Sequence, residues 1–154
     1  MKASFAVVSL VVVLLGNGAC RWANAQEPGE FRSVRIESHP KGGGYAHKTV
    51  TPDGVITGAH MSGPPSAVRV YETKDRLTAE DLNTLKQLVA DLRGAPVGGE
   101  CATPEQKAEG YVSVTIQFQN GKALTANADW NAKFGSPNFQ AVWDHLHKFQ
   151  VGAW

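Results

Sequence analysis

Residues 111–118 read Tyr-Val-Ser-Val-Thr-Ile-Gln-Phe and alternate strictly between apolar and polar side chains from Val112 onward. Successive side chains of a β-strand point to opposite faces of the sheet, so the even-numbered residues from Val112 to Phe118 share one face. One apolar face and one polar face are typical of a half-buried strand in an antiparallel sheet. This stretch therefore predicts a sheet that is buried on one side.

A tight turn follows this strand. Asn120-Gly121 is the dipeptide that supplies the two positive-φ residues of a type I′ hairpin turn. Residues 123–127 are then expected to pair back, antiparallel to the first strand.

Shorter stretches with strand character lie upstream, at residues 31–37, 45–50, 55–60 and 67–73. Pro40–Gly44 ends the first of them, and Gly63-Pro64-Pro65 interrupts the chain before the last. Between the second and third, Pro52 presets φ at the first corner of a turn and Gly54 takes the positive-φ position that closes it. The pattern predicts a mostly antiparallel sheet of about five strands.

Two segments have helical periodicity. Thr78 is a cap residue, Glu80 and Asp81 favour the positive end of the helix dipole, and leucines recur at helical spacing as far as Leu92. Ser136-Pro137 opens a second helix as cap and first-turn proline. Because both apolar stripes are one-sided, we expect an α+β fold in which the two amphipathic helices pack on one face of the sheet. Residues 31–154 then form one domain, preceded by a flexible leader at 26–30.

The first 25 residues are typical of a secretory signal peptide. Lys2 precedes an 11-residue run from Phe5 to Leu15 that is apolar apart from Ser9, which is too short to span a bilayer. Ala23 and Ala25 occupy the two positions that a signal peptidase requires before Gln26. The sequence predicts cleavage between Ala25 and Gln26, and a secreted or periplasmic, bacterial protein with no stable membrane insertion after processing.

Gly18-Ala19-Cys20 leaves a second processing route open, because it is similar to the end of a bacterial lipobox. Asn17 stands where that signal usually has a leucine. Lipidation at Cys20 would make the chain a structural envelope lipoprotein. Cleavage before Gln26 would instead leave Cys101 as the single cysteine, either free or paired with another molecule.

Composition narrows the range of partners. After cleavage the chain has 13 basic and 14 acidic residues, with no basic cluster. Nucleic acids and anionic lipids bind to concentrated basic faces, so nucleic acid is excluded as an expected partner. The motifs of serine hydrolases, zinc proteases, dithiol sites and phosphate loops are absent from the sequence, which predicts a non-enzymatic chain without a cofactor.

Histidine is the residue type that leaves an alternative open. His47 and His60 lie on the two arms of the hairpin around residues 51–54. A register that brought them together would place them at a metal-binding or hydrolytic site, although the sequence alone does not determine that register. His145 and His147 are two residues apart on a helix and point away from each other.

Several short motifs resemble those of a bacterial inhibitor family. They are Val34-Arg35-Ile36, Gly43-Gly44-Tyr45-Ala46, Leu77-Thr78-Ala79-Glu80-Asp81-Leu82, the hairpin from Val112 to Gly121, and the closing helix from Pro137 to Leu146. In this order the chain resembles the emfourin-type inhibitors of thermolysin-like metalloproteases and related uncharacterised exported domains. The resemblance implies a contact loop at Gly43, Gly44 and Tyr45.

Trp130 is a further candidate contact residue, because it stands between polar residues in a predicted loop. Together these observations indicate an exported, non-enzymatic interaction domain that binds a protein of the cell envelope. Inhibition of a protease is the sharper form of that hypothesis.

Overall fold

The computed structural model describes residues 30–62, 69–92 and 102–151 of the 154-residue chain. The signal peptide, Cys20, most of the leader, the Gly63-Pro64-Pro65 interruption and Cys101 are predictions that lie outside these ranges. The described elements are, in chain order, β1 (Phe31–Pro40), β2 (Tyr45–Val50), β3 (Val55–Ser62), β4 (Arg69–Arg76), α1 (Ala79–Ala90), α2 (Pro104–Glu109), β5 (Gly110–Phe118), β6 (Ala123–Asp129) and α3 (Pro137–His147).

The six strands form one sheet in the order β4-β3-β2-β1-β5-β6, and all neighbouring strands are antiparallel. The predicted α+β fold is confirmed, whereas the prediction of about five strands was one too few. The edge strand β4 corresponds to the predicted stretch at 67–73, but it continues to Arg76 through charged and polar residues in which the alternation typical of a strand is lost.

One face of the sheet holds the core. The side chains of Val34, Ile36, Val50 and Ile116 are fully buried there, in one cluster with Leu85 of α1 and with residues of α3. Both amphipathic helices therefore pack on this face, as their one-sided stripes predicted. No helix in the part of the chain that the structure describes is long and apolar enough to cross a membrane.

The β5–β6 hairpin differs from the type I′ prediction. Gly121 has a φ of 80°, but Asn120 does not have a positive φ. The Gly121 amide donates to the Phe118 carbonyl at 3.1 Å, and the Phe118 amide donates to the Lys122 carbonyl at 2.8 Å. These bonds define a three-residue connection in which a single glycine supplies the left-handed position. The Pro52 and Gly54 prediction is confirmed, since Gly54 has a φ of 83°.

The caps of the three helices match the sequence prediction only in part. The Thr78 hydroxyl accepts a bond from the Asp81 amide at 3.1 Å and caps α1 as expected, whereas Ser136 makes no side-chain cap of α3. The short helix α2 was missed. It has a complete capping box between Thr103 and Gln106 with Pro104 at its first turn, which is a signal present in the sequence.

A buried lysine joins β2 to the end of α3. Lys48 is 1 % exposed and lies on the helix-covered face of the sheet. Its Nζ donates to the carbonyl of His147 at 3.1 Å and to that of Phe149 at 2.5 Å. The last carbonyls of a helix have no partners within the helix, so this ammonium caps α3 from the sheet below it.

Candidate functional site

The strongest polar cluster lies on the face of the sheet opposite α1 and α3, here called the open face. Alternation along β1 places Arg35, Glu37 and His39 on the open face, because Val34 and Ile36 are in the core. The register then sets Glu37 opposite both a residue of β2 and a residue of β5. The seven residues of the cluster are Arg35, Glu37, His39, Tyr45, His47, Tyr111 and Ser113.

Glu37 is the centre of this cluster. Its Oε1 accepts a hydrogen bond from the Tyr45 hydroxyl at 2.7 Å, and its Oε2 accepts one from the Ser113 hydroxyl at 3.2 Å. The Nε of Arg35 lies 2.6 Å from Oε1, and the Nε2 of His39 lies 3.5 Å from Oε2. Arg35 also donates to the Tyr45 hydroxyl. The carboxylate is thus held by groups from three strands.

Aromatic rings lie beside this carboxylate. His39 stacks on Tyr111 with ring centroids 4.3 Å apart and planes inclined by 12°. Tyr45 lies between His39 and His47, at centroid distances of 5.0 and 5.3 Å. Burial and the charge of Glu37 raise the pKa of the Tyr111 phenol, so this group stays protonated at neutral pH. The open face thus presents stacked aromatic rings and uncharged hydroxyl donors beside the Glu37 carboxylate, which is paired with Arg35.

His47 borders a depression of about 470 Å³ on the open face. Glu72 and Lys74 of β4 and Thr57 and Ala59 of β3 also line it. Burial, then the Arg35 charge, lowers the pKa of His47 below its usual value, against the opposite effects of Glu37 and Glu72. The imidazole is therefore neutral at pH 7. Its Nδ1 is buried without a hydrogen-bond partner among the described residues.

The structure does not bring His47 and His60 together. His47 is paired with Ala59, and His60 is paired with Ala46. Directly opposed residues of an antiparallel pair share a face, so His60 points to the helix-covered side and His47 to the open side. Among the described residues no group of three or more histidines, cysteines or carboxylates is placed to hold a metal. The geometry therefore gives no support to a metal site shared by His47 and His60.

The predicted contact residues lie at one end of the sheet, where β1 meets β2 and β6 ends. This end, here called the turn end, contains the connection Lys41–Gly44, the start of β2 at Tyr45, Met61 near the end of β3, and Trp130 directly after β6. Gly43 and Gly44 have φ values of 100° and 103° and are exposed. Tyr45 is the first residue of β2, at the start of the predicted strand 45–50, and directly follows the glycines of the predicted contact loop.

Most residues of the open-face cluster are not among the candidate site residues that the sequence predicts. Arg35, Glu37 and His39 occupy alternate positions, and their shared face follows from the burial of Val34 and Ile36. Tyr111 and Ser113 alternate in the same way along β5. The sequence of each strand thus indicates which of its residues share a face, but nothing in it indicates that β1 pairs with β5.

No family model matches the chain, and no curated protein matches it significantly. The resemblance to the emfourin-type inhibitors therefore rests on the sequence motifs alone.

Proposed function

We propose that this chain is an exported, non-enzymatic protein-binding domain whose contact surface is the turn end of the sheet. The observation that carries the proposal is the position of its exposed apolar side chains. Met61 is 38 % exposed and Trp130 is 43 % exposed, and these are the large exposed hydrophobic residues of the described chain. Both lie at the turn end. Aromatic residues and methionine are enriched in protein interfaces, and Trp and Tyr dominate their hot spots.

The dimensions of the turn end fit such a surface. Met61 on β3 and Trp130 after β6 are separated by four strand spacings, which is roughly 19 Å. Tyr45 is paired with Met61 and lies inside this span. The Glu37 network fixes the Tyr45 hydroxyl in advance, so less side-chain entropy is lost on binding.

The polar cluster supports recognition over catalysis. Both oxygens of Glu37 are already bonded, to Tyr45 and to Ser113, and the Arg35 charge is paired with it. Ser113 is 3 % exposed, which keeps its hydroxyl away from a substrate. In this proposal the cluster is a rigid support for the aromatic surface.

The resemblance gives the proposal its sharper form, in which the partner is a thermolysin-like metalloprotease. Glycines 42, 43 and 44 all have positive φ, which glycine adopts readily, and because they have no side chains their backbone can approach a partner closely. The Gly43-Gly44-Tyr45 segment would then enter or cover the protease cleft, with Trp130 contacting the rim.

We expect the chain that begins at Gln26 to slow peptide hydrolysis by a thermolysin-like protease at micromolar concentration. The variant Trp130→Ala should weaken inhibition about tenfold or more, because truncating a buried interface tryptophan costs about 2 kcal/mol or more. Gln119→Ala is the matched control, since Gln119 is exposed at the opposite end of the same hairpin. Inhibition constants and melting temperatures are measured for all three proteins.

The control variant should inhibit as the parent does, and all three should melt alike. Full protease activity in the presence of the parent chain would contradict inhibition. Equal weakening by Gln119→Ala would contradict the assignment of the contact surface to the turn end.

Export is tested separately at the N-terminus. Mass spectrometry of the chain recovered from a bacterial envelope or medium should show a first residue of Gln26 and no acyl group. A chain that begins with an acylated Cys20 would replace the proposal of a released domain with that of a membrane-attached lipoprotein.

A further inference from the structure

We infer that the edge strand β4 pairs with β4 of a second copy of this chain, joining the two sheets into one across a two-fold axis. The inference is independent of the proposed function. β4 is the outermost strand of the sheet, and only β3 pairs with it among the described residues. The strand is eight residues long, and Glu72 to Arg76 are all exposed. An edge strand presents a row of backbone groups that another strand can pair with.

Symmetry limits the registers that such a pair can adopt. A two-fold axis perpendicular to the sheet keeps each side chain on its own face, so paired residue numbers must have an even sum. Glu72 and Lys74 both lie on the open face, because Glu72 is paired with Ala59 and Lys74 with Thr57. These two positions are therefore available to face each other across the axis.

Charge selects one register among them. When Thr73 faces Thr73 of the second copy, Glu72 faces Lys74 of that copy, and the symmetry repeats this opposite-charge pair. Shifting the register one way sets Glu72 against Glu72. Shifting it the other way sets Lys74 against Lys74, although Glu72 then faces Arg76, so only the centred register has unlike pairs without a like pair. Directly opposed unlike charges and threonine pairs stabilise antiparallel strands, and like charges destabilise them. The sequence Glu-Thr-Lys is thus self-complementary in the register centred on Thr73.

Charged residues on an edge strand commonly serve to prevent association. That role requires repulsion from an incoming copy, whereas Glu72 and Lys74 attract one in the centred register. The other edge strand, β6, is contacted by α2. The two edges of the sheet therefore differ, and β4 is the edge suited to a second copy.

The dimer would have a definite geometry. The helices of both copies lie on the same side of the joined sheet, because the axis preserves the faces. The two depressions beside Glu72 and Lys74 become neighbours on the open side. Since the paired strands run in opposite directions, the two turn ends point away from each other. One strand pair buries little surface, so association is reversible and depends on concentration.

Charge reversal tests the register directly. The purified chain, in the processed form that the expressing cell releases, is examined by sedimentation equilibrium with the variants Glu72→Lys, Lys74→Glu and the double exchange Glu72→Lys/Lys74→Glu. Each single variant turns two symmetry-related attractions into repulsions and should raise the dimer dissociation constant by about tenfold or more. The double exchange restores unlike pairs and should return the constant to near the parent value. Higher salt should weaken the parent dimer.

A crosslink at the axis gives a second readout. In a Cys101→Ser chain, Thr73→Cys should form an intermolecular disulfide on mild oxidation, because opposed Cβ atoms of a strand pair lie about 4.5–5.5 Å apart. Thr57→Cys is the matched control, since Thr57 is an exposed threonine of the neighbouring strand β3, away from the sheet edge. A parent chain that stays monomeric at millimolar concentration would overturn the inference. So would single variants that dimerise like the parent, or a double exchange that fails to rescue.

Discussion

Replacing Lys48 with alanine should lower the free energy of unfolding by about 3–5 kcal/mol. Lys48 is 1 % exposed, and its Nζ donates to the carbonyls of His147 and Phe149. Alanine leaves a cavity where the methylene chain packed, and it leaves two carbonyls at the end of α3 without their donor. Urea denaturation followed by circular dichroism measures the change.

Lys48→Met separates the two causes. Methionine fills much of the same volume but donates no hydrogen bond, so this variant keeps the packing and loses only the cap. It also removes the cost of burying a charge. We expect a loss of about 1–2 kcal/mol, smaller than that of the alanine variant. Equal losses in the two variants would show that packing contributes nothing, and no loss in either would contradict the capping role.

The stability that Lys48 contributes should also depend on pH. Burial lowers the pKa of Lys48 from 10.5 to about 8. The folded chain therefore releases this proton before the unfolded chain does, and between pH 8 and 10.5 the unfolded chain binds more protons. Stability from this group rises with pH across that window, by up to about 3 kcal/mol.

The pH effect is isolated by comparison with Lys48→Met, because all other titrating groups are shared. The parent should gain stability relative to this variant when both are unfolded at pH 10 instead of pH 7. A difference that stays constant with pH would mean that the ammonium keeps its ordinary pKa in the fold.

Lys48 also illustrates how far the sequence determines this structure. The sequence predicts a strand at residues 45–50, which are the bounds of β2 in the structure, and the two-residue period of a strand assigns Lys48 to the same face as the core residue Val50. A charged residue at a core position requires a partner. The partner carbonyls lie 99 and 101 residues further along the chain, and local periodicity carries no information about such distant contacts.

The open-face cluster likewise has one part that the sequence predicts and one part that it does not. The spacing of Arg35, Glu37 and His39 predicts that they share a face, because alternation is local. The hydrogen bond from Ser113 to Glu37 joins residues 76 positions apart and exists because β5 pairs with β1. Strand order depends on how the whole chain closes its core, so the elements were predicted far better than the site that they assemble.

Replacing Gly110 with alanine should destabilise the chain by about 3 kcal/mol or more. Gly110 ends α2 and begins β5 with φ 94° and ψ 149°, a conformation that side chains rarely adopt. A Cβ at this position would lie 2.8 Å from the Lys41 amide nitrogen and 2.9 Å from the His39 carbonyl oxygen. Both are backbone atoms, which cannot move aside as a flexible side chain does.

Gly121→Ala is the matched control, because it separates backbone strain from collision. Gly121 also has a positive φ, of 80°, but an added Cβ there meets nothing within 4 Å. Its replacement should cost only the strain of a left-handed residue, about 1–2 kcal/mol. Equal losses in the two variants, measured by urea denaturation, would contradict a collision at Gly110.

The two glycines also lie at opposite ends of the β5–β6 hairpin, which links this prediction to function. The collision at Gly110 is with the end of β1 and the first residue of the Lys41–Gly44 connection, so relief of it displaces the proposed contact surface. At a temperature where both variants stay folded, Gly110→Ala should therefore weaken protease inhibition, and Gly121→Ala should not. If both inhibit like the parent, the conformation of the Lys41–Gly44 connection does not contribute to binding, and the contact surface must be centred on Trp130 instead.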